Sequence, residues 1–198
     1  AAPEWREIMR SVAEHALLDY KDFETNPGAA TCTYTPSGGE RVVNASAYRS
    51  FLLFSAWSEF GDDRYREVAE RNLNFVLQCQ AENGSWPYAV DGKRGFIDHF
   101  HTCFVMKSLA KIQRMTGHEG CSRALNRGVR YYVQHLFDEA GLPKPFSKAP
   151  RLTLYRRELY DIAECLNLGV LLLGRFPAWD AVVQKTLHHA LEKWVLPS

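Results

Sequence analysis

The chain has 198 residues, 46% of them hydrophobic, which is enough for one sizeable core and too apolar for a disordered or collagen-like chain. Its 24 Lys+Arg against 23 Asp+Glu leave a net charge of +1, so it lacks the global basic field of a nucleic-acid binder. The longest nearly unbroken apolar stretch, Leu166 to Leu173, falls far short of the roughly 20 residues that span a bilayer, and no membrane span is expected.

From the amino end, Ala1-Ala2-Pro3-Glu4-Trp5 lacks the basic, apolar, small-residue layout of a signal peptide. Apolar residues then recur at helical spacing, predicting helices near 4–22, 44–60, 63–80, 98–116, 120–137, 158–174 and 178–195. In the fifth, Ala124, Leu125, Gly128, Val129, Tyr132, Val133 and Leu136 make one apolar stripe of the kind that packs on a core. No sustained two-residue alternation marks an exposed strand. Short joints at Gly61-Asp62, Thr116-Gly117-His118 and Arg175-Phe176-Pro177 make antiparallel hairpins, while long Gly, Pro and aromatic-rich stretches (23–43, 81–97 and 138–157) link hairpin to hairpin. Gly61 and Gly117 are 56 residues apart, and Gly84 and Gly141 are 57 apart, so two units share one plan. The fold class expected is all-α: α-hairpin repeats with inner and outer layers forming an incomplete α/α toroid of about seven helices, one domain over 1–198 or a fragment of a longer ring.

Cys32, Cys79, Cys103, Cys121 and Cys165 are an odd, scattered set without a CxxC pair; Cys79, Cys103, Cys121 and Cys165 lie in apolar-periodic segments. They read as core thiols in a reducing, cytoplasmic compartment.

Arg41-Val42-Val43-Asn44-Ala45, Gln80-Ala81-Glu82-Asn83-Gly84-Ser85-Trp86-Pro87-Tyr88, Phe96-Ile97-Asp98-His99-Phe100-His101-Thr102, Gly141-Leu142-Pro143-Lys144 and Tyr160-Asp161-Ile162 occur in that order over roughly residues 30 to 175. This series resembles bacterial α/α-toroid proteins with terpenoid-cyclase-like repeats, which are associated with exopolysaccharide or lipopolysaccharide biosynthesis. The resemblance implies the toroid fold and a place in polysaccharide biosynthesis or modification.

In such an arc the helix after each long loop is the inner one, so the starts of helices 44–60, 98–116 and 158–174 converge on one rim. Asn44, Asp98 and Asp161 stand there, preceded at three or four residues by Arg41, Arg94 and Arg157. Helix N-termini favour anions and guanidinium adds a bidentate fork, so this rim suits an acidic ligand. The plainer reading is that Asn44 and Asp98 only cap helices and that the arginines pair with nearby carboxylates on solvated loops. Asp98 and His101 share a helical face and form a carboxylate-oriented imidazole suited to proton transfer. His99 and Cys103, four apart on another face, offer two metal ligands, but no further ligand is fixed by sequence, and no metal or cofactor is expected. Trp86 and Tyr88 on the long loop are aromatic faces for a sugar, or pins that hold the loop to its hairpin. Carboxylates at Glu158, Asp161 and Glu164 opposite Asp98 fit glycoside hydrolysis, whereas Tyr155 or Tyr160 near His101 fits a lyase or epimerase removing a proton beside a uronate.

The expected function is therefore carbohydrate-active or carbohydrate-binding, with an acidic oligosaccharide or polysaccharide as partner. Asp98, His101 and Asp161 are the catalytic candidates; Arg41, Asn44, Trp86, Tyr88, Arg94 and Arg157 are the binding candidates. The alternatives are a non-catalytic scaffold of a polysaccharide-assembly complex, with a protein partner or self-association at the open ends of the arc, and a terpenoid or prenyl-type transferase.

Overall fold

Along the chain the computed structural model, which describes residues 3–39, 41–152 and 154–195, runs α1 (Pro3–Leu18), β1 (Asp22–Asn26), β2 (Ala29–Cys32), α2 (Val43–Phe60) and α3 (Asp63–Gln78). It continues with β3 (Ile97–Asp98), α4 (His99–Thr116), α5 (Glu119–His135), β4 (Phe146–Lys148), α6 (Leu159–Leu172) and α7 (Pro177–Ala190), followed by a π-helical turn at Leu191–Val195.

The hairpin joints use one device twice. Gly61 and Gly117 end α2 and α4 at φ 68° and 70°, in the left-handed region that glycine enters without steric cost. Their N–H groups donate to Trp57 and Gln113 carbonyls at 2.8 and 2.9 Å, and Asp62 and His118 then cap α3 and α5 with side-chain acceptors. The long loops are pinned where the repeat places Gly84: a Cβ there would sit 2.4 Å from the Arg127 carbonyl oxygen, so only glycine allows the loop to lie against α5.

These hairpins stack into two layers. α2, α4 and α6 pack on one another as the inner layer, and α3, α5 and α7 cover them. Leu53, Leu73, Met106, Leu109, Ile112, Leu125, Tyr132, Leu136, Leu168 and Trp179 are buried between the layers. Within the inner layer the Lys107 ammonium and Glu164 carboxylate form a buried ion pair that ties α4 to α6.

Two sequence expectations are corrected. The first helix stops at Leu18, and residues 22–32 form an antiparallel hairpin with Phe23 opposite Thr31. Its strands carry no alternation because β1 is mostly exposed while all four residues of β2 are buried. A second short ribbon pairs Ile97 with Lys148, joining two of the long loops. Arg49, on α2, holds the first region in place: it donates to the Ala16, Leu17 and Tyr20 carbonyls at 2.7, 3.2 and 3.3 Å and to Asp22 and Asn72 at 2.5 and 3.1 Å. These bonds occupy a buried guanidinium and close the C-terminal carbonyls of α1.

Candidate functional site

Asp98 caps α4 and orients a histidine with the same carboxylate. Its Oδ1 accepts the His101 backbone N–H at 2.8 Å, and its Oδ2 meets His101 Nδ1 at 2.5 Å. Asp98 is 2% exposed. A carboxylate can only accept, so Nδ1 carries the ring proton and Nε2 presents a lone pair. Nε2 has no hydrogen-bond partner among the described residues. Tyr88, Phe100 and Phe104 hold the ring, with centroids 4.6, 4.3 and 5.6 Å from it.

The imidazole borders a cleft of about 380 Å³ between α1, β2, α2 and α4. This lies within the range of roughly 300–1,000 Å³ typical of small-molecule sites. Tyr34, Tyr48 and Phe104 give it aromatic walls, and Asn44 lies on its floor beside His101. Asn44 is buried, its carboxamide forms no hydrogen bond among the described residues, and Oδ1 is sealed without a partner. A buried amide without partners is costly, and here it borders the cleft. The helix starts at Val43 with Val42 in the capping place, so Asn44 is not the cap that its position suggests. Tyr48 and Tyr160 extend the aromatic wall through Phe104, at 5.3 and 6.2 Å. Burial, then the Glu164 carboxylate, pushes both phenols above the usual tyrosine range, so they stay protonated donors.

Other candidates stand elsewhere. Asp161 is the third residue of α6, where its Oδ2 accepts the Glu158 N–H at 3.4 Å. Burial pushes its carboxyl up to about 6, and the Glu158 and Asp98 carboxylates add to the rise. It does not line the cleft, and among the described lining residues Asp98 is the only carboxylate beside His101. Arg94 pairs with Asp91 at 2.6 Å and lies over Tyr88, and Arg157 pairs with Asp138 while donating to the Pro143 carbonyl at 2.8 Å. Those two arginines hold their own loops. Arg41 is exposed beside the single bridge of Val42 to Ala89, its carbonyl accepting the Val90 N–H at 3.1 Å. Trp86 is 2% exposed, donates to the Val76 carbonyl at 3.0 Å and fills the space over Gly128, so it pins the loop instead of facing a ligand. Tyr88, stacked on Phe96 at 4.7 Å and 11°, does remain at the site. Tyr155 packs on Phe146 and not on His101.

His99 and Cys103 turn into the core instead of toward a metal. The His99 Nε2 and the Cys103 thiol both meet the Tyr132 hydroxyl, and burial pushes the His99 imidazole down to about 3. No group of three His, Cys, Asp or Glu able to hold a metal occurs among the described residues. Tyr48 and Phe104 belong to no motif, yet they follow Asn44 and His101 by four and three residues and so share their helical faces, the one signal in the sequence that points to them.

Fold and layer order together define an α/α toroid, built of helical hairpins in two layers around an inner, aromatic-lined face. Solved structures of this shape include unsaturated glucuronyl hydrolase from Bacillus sp. GL1, described as responsible for degrading glycosaminoglycan (TM-score 0.66, 16% identity, 92% of this chain and 54% of that one). A GH76 α-mannanase from Bacteroides thetaiotaomicron is similar at TM-score 0.69 and 16% identity, over 96% of this chain and 58% of that one. A mutant of a family 10 polysaccharide lyase from Cellvibrio cellulosa, in complex with trigalacturonic acid, follows at TM-score 0.61 and 13% identity, over 92% and 68%. The chain thus spans little more than half the length of the first two. No family model matches it, and no curated protein matches it in sequence.

Proposed function

We propose that this chain acts on an acidic polysaccharide during its assembly or modification, with His101 as the proton-transferring base and Asp98 as the residue that fixes its tautomer. The observation that carries this reading is the free Nε2 of a carboxylate-oriented histidine at an aromatic cleft. Aromatic walls suit the C–H faces of a sugar, and Asn44 and the protonated Tyr48 suit its hydroxyls. With no second carboxylate on the described lining, paired-carboxylate hydrolysis is less well served than removal of a proton beside a uronate carboxylate. Neighbours described as a glucuronyl hydrolase, a mannanase and a polysaccharide lyase support a carbohydrate ligand for this fold. The five cysteines are free thiols, which supports a reducing, cytoplasmic setting. Among the described residues no helix is long and apolar enough to cross a membrane.

The test is entry of solvent deuterium at the carbon beside the carboxylate when polyuronate oligosaccharides are incubated with the protein in heavy water. Exchange or chain cleavage that disappears in His101→Ala supports the reading. Identical rates for the wild type and His101→Ala refute it. A scaffold role is the second reading, favoured by Trp5, Ile8, Met9 and Val12, which share one exposed face of α1. Light scattering shows whether that face joins two copies.

A further inference from the structure

Along the Pro87–Phe96 loop lies a second cleft, of about 510 Å³, lined also by Lys148, Ala149 and Pro150 at the end of β4 and beyond it. Its polar wall is cationic. Lys93 stands on the loop and Lys148 on β4, whose pairing with Ile97 puts the Lys148 ammonium 3.8 Å from where a Cβ on Gly95 would lie. Neither lysine has an ion-pair partner among the described residues. The carboxylate of this loop, Asp91, is taken: Arg94 and the Lys93 and Arg94 backbone N–H groups bind it, and those bonds hold its carboxyl below the usual range. Arg41 is tied to this loop by its backbone alone, its carbonyl accepting the N–H of Val90, a residue of the same cleft. Gly92 and Gly95 leave backbone open on the lining, and Phe96 supplies a ring face.

A chain of ring contacts links this cleft to the site. Phe96 stacks on Tyr88, Tyr88 meets His101, and the Phe96 and His101 centroids are 6.4 Å apart. We propose that the Lys93–Lys148 cleft is an anion subsite that holds the carboxylate of a sugar unit flanking the one at His101. The inference rests on the proposed action on an acidic polysaccharide and adds where its charge is read: in a lysine cleft, not by the arginines at the helix starts. Charge-assisted contacts from lysines at a half-open cleft supply salt-dependent affinity and set the direction in which the polymer lies.

The experiment titrates the isotope-labelled full chain with tetragalacturonate and, separately, with neutral maltotetraose, following the amides of Gly92, Lys93 and Gly95 and the ring of His101 by NMR. The subsite requires tetragalacturonate to shift the loop amides, with affinity that falls as salt rises. Lys93→Gln with Lys148→Gln should weaken binding about tenfold, two partly exposed pairs being lost together. Lys93→Arg with Lys148→Arg should retain it. Unchanged affinity in the glutamine double variant, or equally tight binding of maltotetraose, overturns the subsite while a shifted His101 ring leaves the catalytic reading standing. Displacement of tetragalacturonate from the loop by an equal concentration of inorganic phosphate assigns the cleft to a free anion and overturns it too. If neither saccharide moves the loop or His101, both the subsite and the polysaccharide reading fail.

Discussion

Asp98→Asn separates the two duties of one carboxylate. The amide oxygen replaces Oδ1 and still accepts the His101 backbone N–H, which the acid accepts at 2.8 Å, and Asn and Asp cap helices about equally well. At the other oxygen the polarity reverses. An amide NH₂ facing His101 Nδ1 donates instead of accepting, so the ring proton moves to Nε2 and the lone pair in the cleft is lost. Asp98 is 2% exposed and the His101 side chain 19%, so water cannot restore the original tautomer at little cost. The fold should lose only about 1 kcal/mol, one charge-assisted bond exchanged for a neutral one. Turnover should fall by roughly 10⁴, about 5.5 kcal/mol in the barrier, as wrong-tautomer variants of carboxylate–histidine pairs do. Nitrogen-15 NMR of the imidazole reports the tautomer without any substrate, and deuterium entry on the polyuronate reports turnover. An Asp98→Asn protein that keeps its proton on Nδ1, or keeps its rate, would refute the reasoning.

Four further outcomes follow from the packing. Asp161→Asn keeps the acceptor for the Glu158 N–H and removes a buried charge whose carboxyl is raised to about 6 from 3.8. Because the folded value lies above the unfolded one, the acid costs stability as pH rises from about 4 to 6; the variant should gain about 1–2 kcal/mol at pH 7 and nothing below pH 4, read by urea melts. Glu164→Gln strands the buried Lys107 ammonium and should cost about 3–5 kcal/mol, while Lys107→Met with Glu164→Leu should be close to neutral in the same melts. Gly128→Ala brings a Cβ to 2.6 Å from the Trp86 ring and should cost about 1–3 kcal/mol despite better helix propensity, measured as a lower Tm. Arg157→Ala releases Asp138 and the Pro143 carbonyl, and amide exchange in residues 138–144 should speed up while that of α4 stays slow.

What the sequence conveyed was whatever depends on near neighbours. The period of Ala124, Leu125, Gly128, Val129 and Tyr132 placed α5, and the paired Gly61 and Gly117 placed two joints, because helical stripes and left-handed caps are local. Asp98 with His101 was legible for the same reason, being three residues apart on one turn. For Arg94 and Arg157 the sequence left ligand anchor and loop ion pair side by side, because their partners Asp91 and Asp138 are fixed by loop conformation, which no period encodes. Trp86 looked the same in sequence whether it faced a ligand or the core; the space above Gly128 decided it. The hairpin of β1 and β2 was missed since a pair with one wholly buried and one mostly exposed strand shows no alternation. The cleft itself joins residues from α1, β2, α2 and α4, and only the assembled layers bring those together.

Arg49 sets an order on how that cleft comes into being. Its hydrogen-bond partners lie 23 to 33 residues away along the chain, whereas the hairpins close through joints of two to four residues. Hairpins with short loops form quickly, and contacts that span long stretches of chain form late. Docking of α1, which brings Val12, His15 and Ala16 to the cleft wall, therefore follows closure of the hairpins. Until then the guanidinium remains hydrated and the aromatic floor is open to solvent. Ligand affinity, followed in time during refolding, thus becomes a clock for the docking of α1.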